Sequence, residues 1–354
     1  MPYVMPGFVL AKAIYELTKG IDWAQYDGIV LMNHGVFTFD DDAKSSYEKM
    51  IEIVSRAEDY ISALTFSVAS IDNNAELDLL ALATARQNVS TLRGSAVYAL
   101  ADCSAETGSF SSMDNVDAIA SRGPLTPDHI IRTKQLPLII QDDISVKDYS
   151  VAYQTYFDKN ANDQQVCLDH APRWAVWKNQ GLISFGISLK EAGIISDISR
   201  HTIRAIQLAE KLGGWQVLAE KDLFDMEYWE LEQAKLNKNK ISSEFQGKVA
   251  LVTGGASGIG KACVEMLVKK GAAVAAVDID QAINGMFGRD EVLEIVCDVS
   301  SETKLKHAVE ETVRRFGGLD ILVSNAGVFT ANENIEDMSE ITWQLSMDVN
   351  LSSH

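Results

Sequence analysis

The sequence predicts an α/β protein with more than one domain. Its 354 residues suit two or three domains. From residue 249 onward, apolar runs alternate with helical patterns, an order typical of a parallel sheet with right-handed crossovers. Earlier in the chain, the pattern of strand, turn, strand and long helix occurs twice, at residues 28–62 and 174–208. A glycine-rich turn after the apolar run 249–252 is the third observation behind this prediction.

The composition argues against several classes of function. Apolar residues make up 47% and charged residues 23% of the chain, as in an ordinary globular protein. The formal net charge is −19 and basic residues do not cluster, so we expect no nucleic-acid partner and no binding to an anionic membrane surface. The sequence has neither a signal-peptide pattern nor an apolar run of about 18 residues that could cross a membrane. The 4 scattered cysteines indicate reduced thiols and a cytoplasmic location.

A glycine-rich turn joins the apolar run 249–252 to a helical pattern. Gly254 permits a tight turn, Gly258 lets backbone N–H groups approach a phosphate, and Gly260 lets the helix pack closely on the strand. The start of the helix also offers unpaired N–H groups and a favourable dipole to a pyrophosphate. A plain strand–turn–helix connection could carry the same glycines, but the strand before them and an acid after them favour a phosphate cradle. We predict cofactor contacts from Gly254, Ser257, Gly258, Ile259 and Gly260.

An acidic residue ends the second apolar run of this region. Residues 272–277 lead into Asp278, about 20 residues after the glycines, where a carboxylate can accept hydrogen bonds from adenosine ribose hydroxyls. The same carboxylate would repel a 2′-phosphate, and no arginine stands beside it. NAD is therefore favoured over NADP as the cofactor.

Two later motifs complete a family pattern. A third apolar run, 292–297, precedes Asp298 and Val299, and a fourth, 321–323, leads into an Asn-Ala-Gly motif. In this order and spacing, with the T-G-x-x-x-G-x-G turn and Asp278, residues 245–354 resemble a short-chain dehydrogenase/reductase. That resemblance implies an NAD(P)-binding Rossmann fold with a parallel sheet, here partial. It also implies that Asp298 and Val299 lie near the adenine. The residues implied to support the sheet near the cofactor are Asn325, Ala326 and Gly327.

The resemblance also implies a catalytic set. Asn350 matches the asparagine of the family's catalytic tetrad, which holds a proton-relay water. The other members are a serine, a tyrosine acting as general acid/base, and a lysine four residues later that lowers the tyrosine's pKa. They follow the asparagine in the family, whereas this sequence stops at His354 and has no tyrosine in 245–354. We therefore expect the chain to be a fragment, truncated at both ends and inactive.

His34 is the candidate metal ligand. It lies in a turn between two apolar stretches, where a ring nitrogen can face a cleft as a zinc ligand does; a histidine satisfied by backbone groups is the alternative. Residues 2–8 and 31–37 resemble the C-terminal part of a class II, zinc-dependent aldolase/adducin-type domain. The resemblance implies that His34 is one of three zinc-binding histidines. The other two and the catalytic glutamate belong to an earlier part of that domain, so the site is incomplete here.

An internal repeat extends this resemblance. Residues 30–39 align with 176–185 at a constant offset of 146 residues. We interpret the middle region as a degenerate second copy of the aldolase fold. Gln180 replaces His34 in that copy, and a neutral amide is a poor zinc ligand, so we expect no metal there. The predicted domains are residues 1–78, 79–240 and 245–354.

Together, the parts are similar to the bifunctional aldolase/short-chain dehydrogenase family, and residues 123–134 and 222–236 share this similarity. It implies cleavage of a 6-deoxyketose 1-phosphate such as rhamnulose 1-phosphate, assisted by zinc. The lactaldehyde formed would then be oxidised or reduced with NAD. We expect small-molecule substrates and, for the full-length protein, a homo-oligomer. Two alternatives stay open: a dehydrogenase of another sugar or alcohol with a non-catalytic aldolase-like scaffold, and a non-enzymatic binding or structural module.

Overall fold

The computed structural model describes residues 1–63, 76–141, 145–237, 243–330 and 334–353. Within these ranges the chain is a mixed α/β structure, as predicted. None of the described helices is long and apolar enough to cross a membrane. The predicted domain boundaries near residues 78 and 240 stay predictions. The neighbouring segments 64–75 and 238–242 lie outside the described residues.

The N-terminal segment contains a helix, an antiparallel hairpin and a long helix. These elements are α1 (Phe8–Leu17), β1 (Gly28–Leu31), β2 (Gly35–Thr38) and α2 (Ala43–Ala63). Strands β1 and β2 pair with Gly28 opposite Thr38 and form a sheet of their own. Asn33 in the turn has φ 57°, a left-handed conformation that asparagine tolerates better than most residues. We call residues 28–63 the first unit.

The middle region is a mixed sheet with helices on both faces. Its described strands, in the spatial order β3–β6–β5–β4, are β3 (Tyr98–Asp102), β4 (Leu138–Ile140), β5 (Trp174–Trp177) and β6 (Gly181–Gly186). Its helices are α3 (Leu79–Arg93), α4 (Ala105–Ser111), α5 (Val116–Ala120), α6 (Ile130–Thr133), α7 (Lys147–Asn160), α8 (Leu189–Lys211), α9 (Glu220–Glu227) and α10 (Glu230–Asn237). Side chains alternate along β6: Ile183 and Phe185 pack towards α3, whereas Leu182 packs towards α5 and α8. Both faces of this sheet are therefore buried.

The strand–turn–strand–helix pattern predicted by the internal repeat is present in both places. Trp174 pairs with Ser184, as Gly28 pairs with Thr38 at an offset of 146 residues. Asn179 has φ 63° and occupies the position of Asn33 in the turn. Helix α8 begins 146 residues after α2. We call residues 174–211 the second unit. That the whole region 79–240 is a second copy of the aldolase fold stays a prediction.

The C-terminal region contains a parallel sheet with strand order β10–β7–β8–β9. The strands are β7 (Val249–Thr253), β8 (Ala273–Asp278), β9 (Val292–Val296) and β10 (Ile321–Val323). The helices are α11 (Gly258–Lys269), α12 (Glu302–Phe316) and α13 (Glu340–Met347), followed by a π-helical turn, Asp348–Ser352. The chain adds strands on one side of β7 and then crosses to its other side with β10. This reversal creates a crevice at the carboxyl ends of β7 and β10.

The acidic, aromatic-bearing stretch 222–236 forms two helices. Helix α9 ends at Glu227 and α10 starts at Glu230. At the break, the Tyr228 ring stacks on Phe224 at 4.4 Å between ring centroids, and its hydroxyl accepts a hydrogen bond from the backbone N–H of Leu168. These contacts hold the aromatic residue inward, and the chain turns there instead of continuing as one helix.

The middle and C-terminal regions share a packed interface. Arg86 of α3 donates to both carboxylate oxygens of Asp320 and to the carbonyl of Gly247. The Tyr98 hydroxyl of β3 donates to the carbonyl of Gly271 at 3.0 Å. The Tyr98 ring packs against Phe316 at the end of α12. Because β3 is the edge strand of the middle sheet, these contacts cover that edge with the C-terminal region.

Candidate functional site

A cavity of about 440 Å³ lies at the carboxyl ends of the parallel strands, at the crevice between β7 and β10. Ten of the eleven residues predicted to contact a cofactor line it, and Gly260 is the exception. The others are Gly254, Ser257, Gly258, Ile259, Asp278, Asp298, Val299, Asn325, Ala326 and Gly327. The fold therefore brings these residues together, while their contact with a cofactor stays a prediction. Six lining residues were not predicted: Ile279, Cys297, Ser300, Val328, Leu345 and Val349.

The three glycines of the turn have different surroundings. A Cβ added to Gly260 would lie 2.0 Å from the carbonyl oxygen of Gly254, so this glycine lets the helix pack on the turn. A Cβ on Gly254, where φ is 67°, would lie 2.8 Å from the amide nitrogen of Asn325. Gly258, with φ 52°, has no protein atom within 4 Å of such a Cβ. Helix α11 begins at Gly258, so the N-terminus of this helix, with its unpaired N–H groups, faces the open space.

Thr253 connects the two strands on either side of the crevice. Its Oγ1 accepts hydrogen bonds from the backbone N–H groups of Asn325 (2.9 Å) and Ala326 (3.0 Å). The Asn325 side-chain amide donates back to the carbonyl of Thr253 at 2.9 Å. Sequence reasoning assigned no role to this threonine. The available signal was a hydroxyl residue at the last position of the first strand, directly before the glycines.

Asp278 presents an ordered carboxylate at the end of β8. One oxygen accepts the backbone N–H of Ala256 at 2.9 Å, and the other accepts that of Asp280 at 3.0 Å. Each oxygen keeps further acceptor capacity. No lysine or arginine is among the described residues that line the cavity. Any negative group brought next to Asp278 would therefore meet an uncompensated carboxylate.

Asp298 lies at the next strand end and is also held by backbone contacts. Its Oδ1 accepts the Ser300 hydroxyl at 2.6 Å and the Ser300 backbone N–H at 3.0 Å. These hydrogen bonds hold the pKa of the Asp298 carboxyl below its ordinary range. Val299 beside it is buried, and burial raises the pKa of the neighbouring Cys297 thiol. This wall of the cavity therefore combines a charged carboxylate with apolar surface.

Asn350 lies in the π-helical turn after α13 and does not line the cavity itself. Its side-chain amide forms a two-way pair with the backbone of Val328: the oxygen accepts the N–H and the nitrogen donates to the carbonyl, each at 2.9 Å. The nitrogen also donates to the Ser346 hydroxyl. The amide thus positions the loop that carries Val328 into the cavity wall. Its predicted contact with a relay water stays a prediction.

His34 is separate from this cavity. Its ring stacks on Phe37 at 5.8 Å between centroids, and its buried Nδ1 has no hydrogen-bond partner among the described residues. Among those residues, no group of three or more histidine, cysteine, aspartate or glutamate side chains is placed to hold a metal ion. The described part of the chain supplies one candidate ligand, and this does not make a zinc site.

Comparison with known proteins assigns the two larger regions to families. Residues 76–236 match the family described as aldolase class II, second domain, and residues 248–354 match short chain dehydrogenase. The chain therefore fuses an aldolase class II second domain to a domain of the short-chain dehydrogenase family. The resemblance to these two families inferred from the sequence motifs is confirmed.

Several relatives are similar to this chain. The uncharacterized oxidoreductase YuxG of Bacillus subtilis (strain 168) is 28% identical over 381 residues, covering 99% of this chain and 55% of the relative. Short-chain dehydrogenase reductase 4 of Arabidopsis thaliana is 36% identical over 137 residues, covering 37% of this chain and 46% of the relative. A crystal structure of 3-ketoacyl-(acyl-carrier-protein) reductase from Brucella melitensis complexed with NADH is 35% identical, with a TM-score of 0.30, and covers 30% of this chain and 46% of that one. The chain spans about half the length of the curated relatives it matches.

Proposed function

We propose that the protein is an NAD-dependent oxidoreductase of the short-chain dehydrogenase type. The observation that carries this proposal is the cavity at the strand-order reversal, which joins a glycine turn, the start of α11 and the Asp278 carboxylate. The backbone N–H groups at Gly258 and Ile259 would hold the pyrophosphate, and Asp278 would accept the ribose hydroxyls. The exposed apolar side chains of Ile279 and Leu345 provide surface for the rings. Bound NAD would supply a hydride acceptor.

The preference for NAD over NADP is part of this proposal. A 2′-phosphate would approach the Asp278 carboxylate, and no basic residue is found among the described residues of the cavity wall. Two like charges in a partly desolvated site repel each other. The proposal therefore disfavours NADP through charge repulsion at Asp278.

Titration of this chain with NADH and NADPH, followed by nicotinamide fluorescence, tests both points. We expect NADH to bind at least about tenfold more tightly, a difference of about 1.4 kcal/mol. Asp278→Asn should bring the two affinities closer together, whereas Asp290→Asn, an exposed acid outside the cavity wall, should leave the ratio unchanged. Equal affinities in the unmodified chain would contradict the NAD preference, and no affinity for either nucleotide would contradict the oxidoreductase proposal.

For the whole protein we propose the finer activity implied by the family resemblance: zinc-assisted cleavage of a 6-deoxyketose 1-phosphate such as rhamnulose 1-phosphate, followed by NAD-linked conversion of lactaldehyde. The fusion of an aldolase class II second domain to a dehydrogenase domain supports it, because a reactive aldehyde would be consumed where it forms. Zinc content and aldol cleavage measured on the full-length protein test this proposal. A full-length protein without zinc that oxidises another alcohol would favour the scaffold alternative, which the isolated position of His34 supports.

For residues 1–354 we propose nucleotide binding without turnover. Residues 245–354 contain no tyrosine, so no phenol of this region is available as general acid/base. Incubation with NAD and lactaldehyde should form no NADH above the buffer rate. Clear NADH formation would show that another group carries the proton transfer.

A further inference from the structure

A second cavity, of about 250 Å³, lies in the middle region and shares no lining residue with the cavity at the parallel sheet. Residues 123–134 and 222–236, which the sequence analysis singled out, meet at its wall. The first stretch contributes Lys134, and the second contributes Glu227 and Gln233. The proposed dinucleotide binding involves neither stretch.

Lys134 has a backbone conformation that is almost confined to glycine. Its φ is 62° and its ψ is 178°, and such conformations persist only where the surrounding structure enforces them, most often at functional sites. The side chain is 3% exposed. Its ammonium donates to the carbonyl of Asp169 at 2.6 Å and lies 3.7 Å from Glu227 Oε1. The strained backbone thus places an amine beside a buried carboxylate in the cavity wall.

Two residues of the wall have buried polar atoms without hydrogen-bond partners among the described residues. Arg93 donates from Nη2 to Glu191 at 3.0 Å, but its Nη1 has no partner. Glu227 is 1% exposed and accepts a hydrogen bond from the Tyr153 hydroxyl on Oε1 at 2.8 Å. Its Oε2 has no partner in hydrogen-bond geometry. The Tyr156 hydroxyl, which lowers the pKa of the same carboxyl, also has none. Buried polar atoms are almost always paired. The unpaired Arg93 donor and the Glu227 carboxyl at the same cavity match a ligand that offers both an acceptor and a donor.

The cavity wall has more basic than acidic side chains, although the protein as a whole is acidic. Four basic residues, Arg93, Arg132, Lys134 and Arg173, face three acidic ones. Arg173 already donates two hydrogen bonds to Asp169. Arg132 forms no ion pair or hydrogen bond with any residue that the structure describes. The wall therefore holds a cation without a described counter-ion, in a chain of net charge −19.

Burial shifts the titration of acidic and basic groups in the wall, and it raises the pKa of the Glu227 carboxyl. Burial and the neighbouring Arg173 lower the pKa of Arg93, and the same two causes lower the pKa of Lys134 to about 7. Both cations thus lie where burial and a like charge disfavour their charged forms. A bound anion would offset this, because an opposite charge a few ångströms away favours the charged form.

We propose that this cavity binds a small hydroxylated anion. Its phosphate or carboxylate oxygen would contact Arg93 and Arg132, and its hydroxyl group would donate to Glu227. The volume is below the roughly 300–1,000 Å³ typical of sites for drug-sized ligands, so the ligand has only a few carbon atoms. The arrangement makes the middle region a binding domain in its own right, with no part in dinucleotide binding.

Calorimetric titration of the chain with glycerol 1-phosphate and with glycerate tests the proposal and distinguishes the two kinds of anion. At least one of the two should bind one molecule per chain. Arg132→Met, which changes a half-buried arginine without a described partner, should weaken that binding about tenfold or more. Arg204→Met is the matched control, because Arg204 is an exposed arginine paired with Glu106 outside this wall. Binding of neither probe, or equal binding by both variants and the unmodified chain, would overturn the proposal.

Glu227→Gln tests the hydroxyl contact. It should weaken the binding of glycerol 1-phosphate about tenfold and leave the binding of sulfate unchanged, because sulfate has no hydroxyl to donate at neutral pH. Sulfate that binds the unmodified chain as tightly as glycerol 1-phosphate would overturn this contact. Should this buried variant not fold, the Arg132→Met comparison still decides the anion site. NADH affinity should be the same in all variants, which separates this proposal from the proposed oxidoreductase function.

Discussion

The first unit (residues 28–63) and the second unit (residues 174–211) have the same strand register and turn conformation, but they differ in burial. In the first unit, Val30 and Phe37 are 55% and 48% exposed, and no residue of α2 is buried. In the second unit every residue of β5 and β6 is buried, and α8 buries one face. The second hairpin lies between β3 and β4, whereas the first pairs with no other described strand.

This difference separates the features that the local sequence determines from those that tertiary contacts determine. An asparagine with positive φ, a glycine at the start of the second strand and an amphipathic helix recur in both units and produce the same backbone. Burial depends instead on neighbours far away in sequence, such as β3 and α3. Substitutions at equivalent positions should therefore have unequal effects where burial differs and equal effects where only local geometry matters.

The largest contrast should be at Phe185 and its equivalent Phe39. Phe185 is fully buried in the middle sheet, so Phe185→Ala should lower the free energy of unfolding by about 3–5 kcal/mol through lost burial and a cavity. Phe39 is half-buried and packs edge-on against Trp23, so Phe39→Ala should cost less than about half of that. Urea unfolding of both variants measures the difference. Equal losses would mean that the first unit is as well supported as the second.

The next effect concerns the interface that the second unit's sheet makes with the C-terminal region. Arg86→Met should cost about 3 kcal/mol, because it removes the guanidinium that pairs with the partly buried Asp320 carboxylate and donates to the carbonyls of Gly247 and Val97. Arg56→Met in α2 serves as the control, since Arg56 is exposed and belongs to the first unit. Thermal unfolding measures both. A control as destabilised as Arg86→Met would remove the distinction between the units.

Val176 and Val30 allow the same substitution at equivalent positions. Val176 is fully buried, so Val176→Ala should destabilise by about 2 kcal/mol. Val30 is more than half exposed, and Val30→Ala should change stability by less than about 0.5 kcal/mol. Denaturant midpoints at constant slope give the two values. A loss above 1 kcal/mol for Val30→Ala would show that something covers this strand in solution.

The smallest contrast should be at the two turns. Asn33 and Asn179 have φ values of 57° and 63°, which cost an alanine about 1 kcal/mol. Asn33→Ala and Asn179→Ala should therefore share this backbone cost, despite the difference in burial around them. Hydrogen exchange of the turn amides measures the local opening free energy in each variant. Clearly unequal losses would show that tertiary contacts, and not local geometry, hold one of the turns.

Sequence reasoning singled out short motifs that the structure brings to one cavity, and their contact with a cofactor stays a prediction. The glycine turn, Asp278 and Asn325 are recognisable because each follows a strand, and parallel strands end at one edge of the sheet. Thr253, Leu345 and Val349 were missed, since their role depends on which loop comes to lie opposite them. The unequal burial of the two units was also invisible, because both carry similar apolar strands. The stretch 123–134 was singled out, but the strained backbone of Lys134 was not predicted, because it arises from the packing around it.

The contact between Tyr98 and Phe316 matters when the middle and C-terminal regions are expressed separately. Val249, Ala273 and Phe316 of the C-terminal region form one apolar cluster with Tyr98 of the middle region. Expressed alone, the dehydrogenase part would expose its share of this apolar cluster to water, and an exposed apolar patch favours aggregation. A substitution on either side of this cluster must therefore still fit the side chains of the other region.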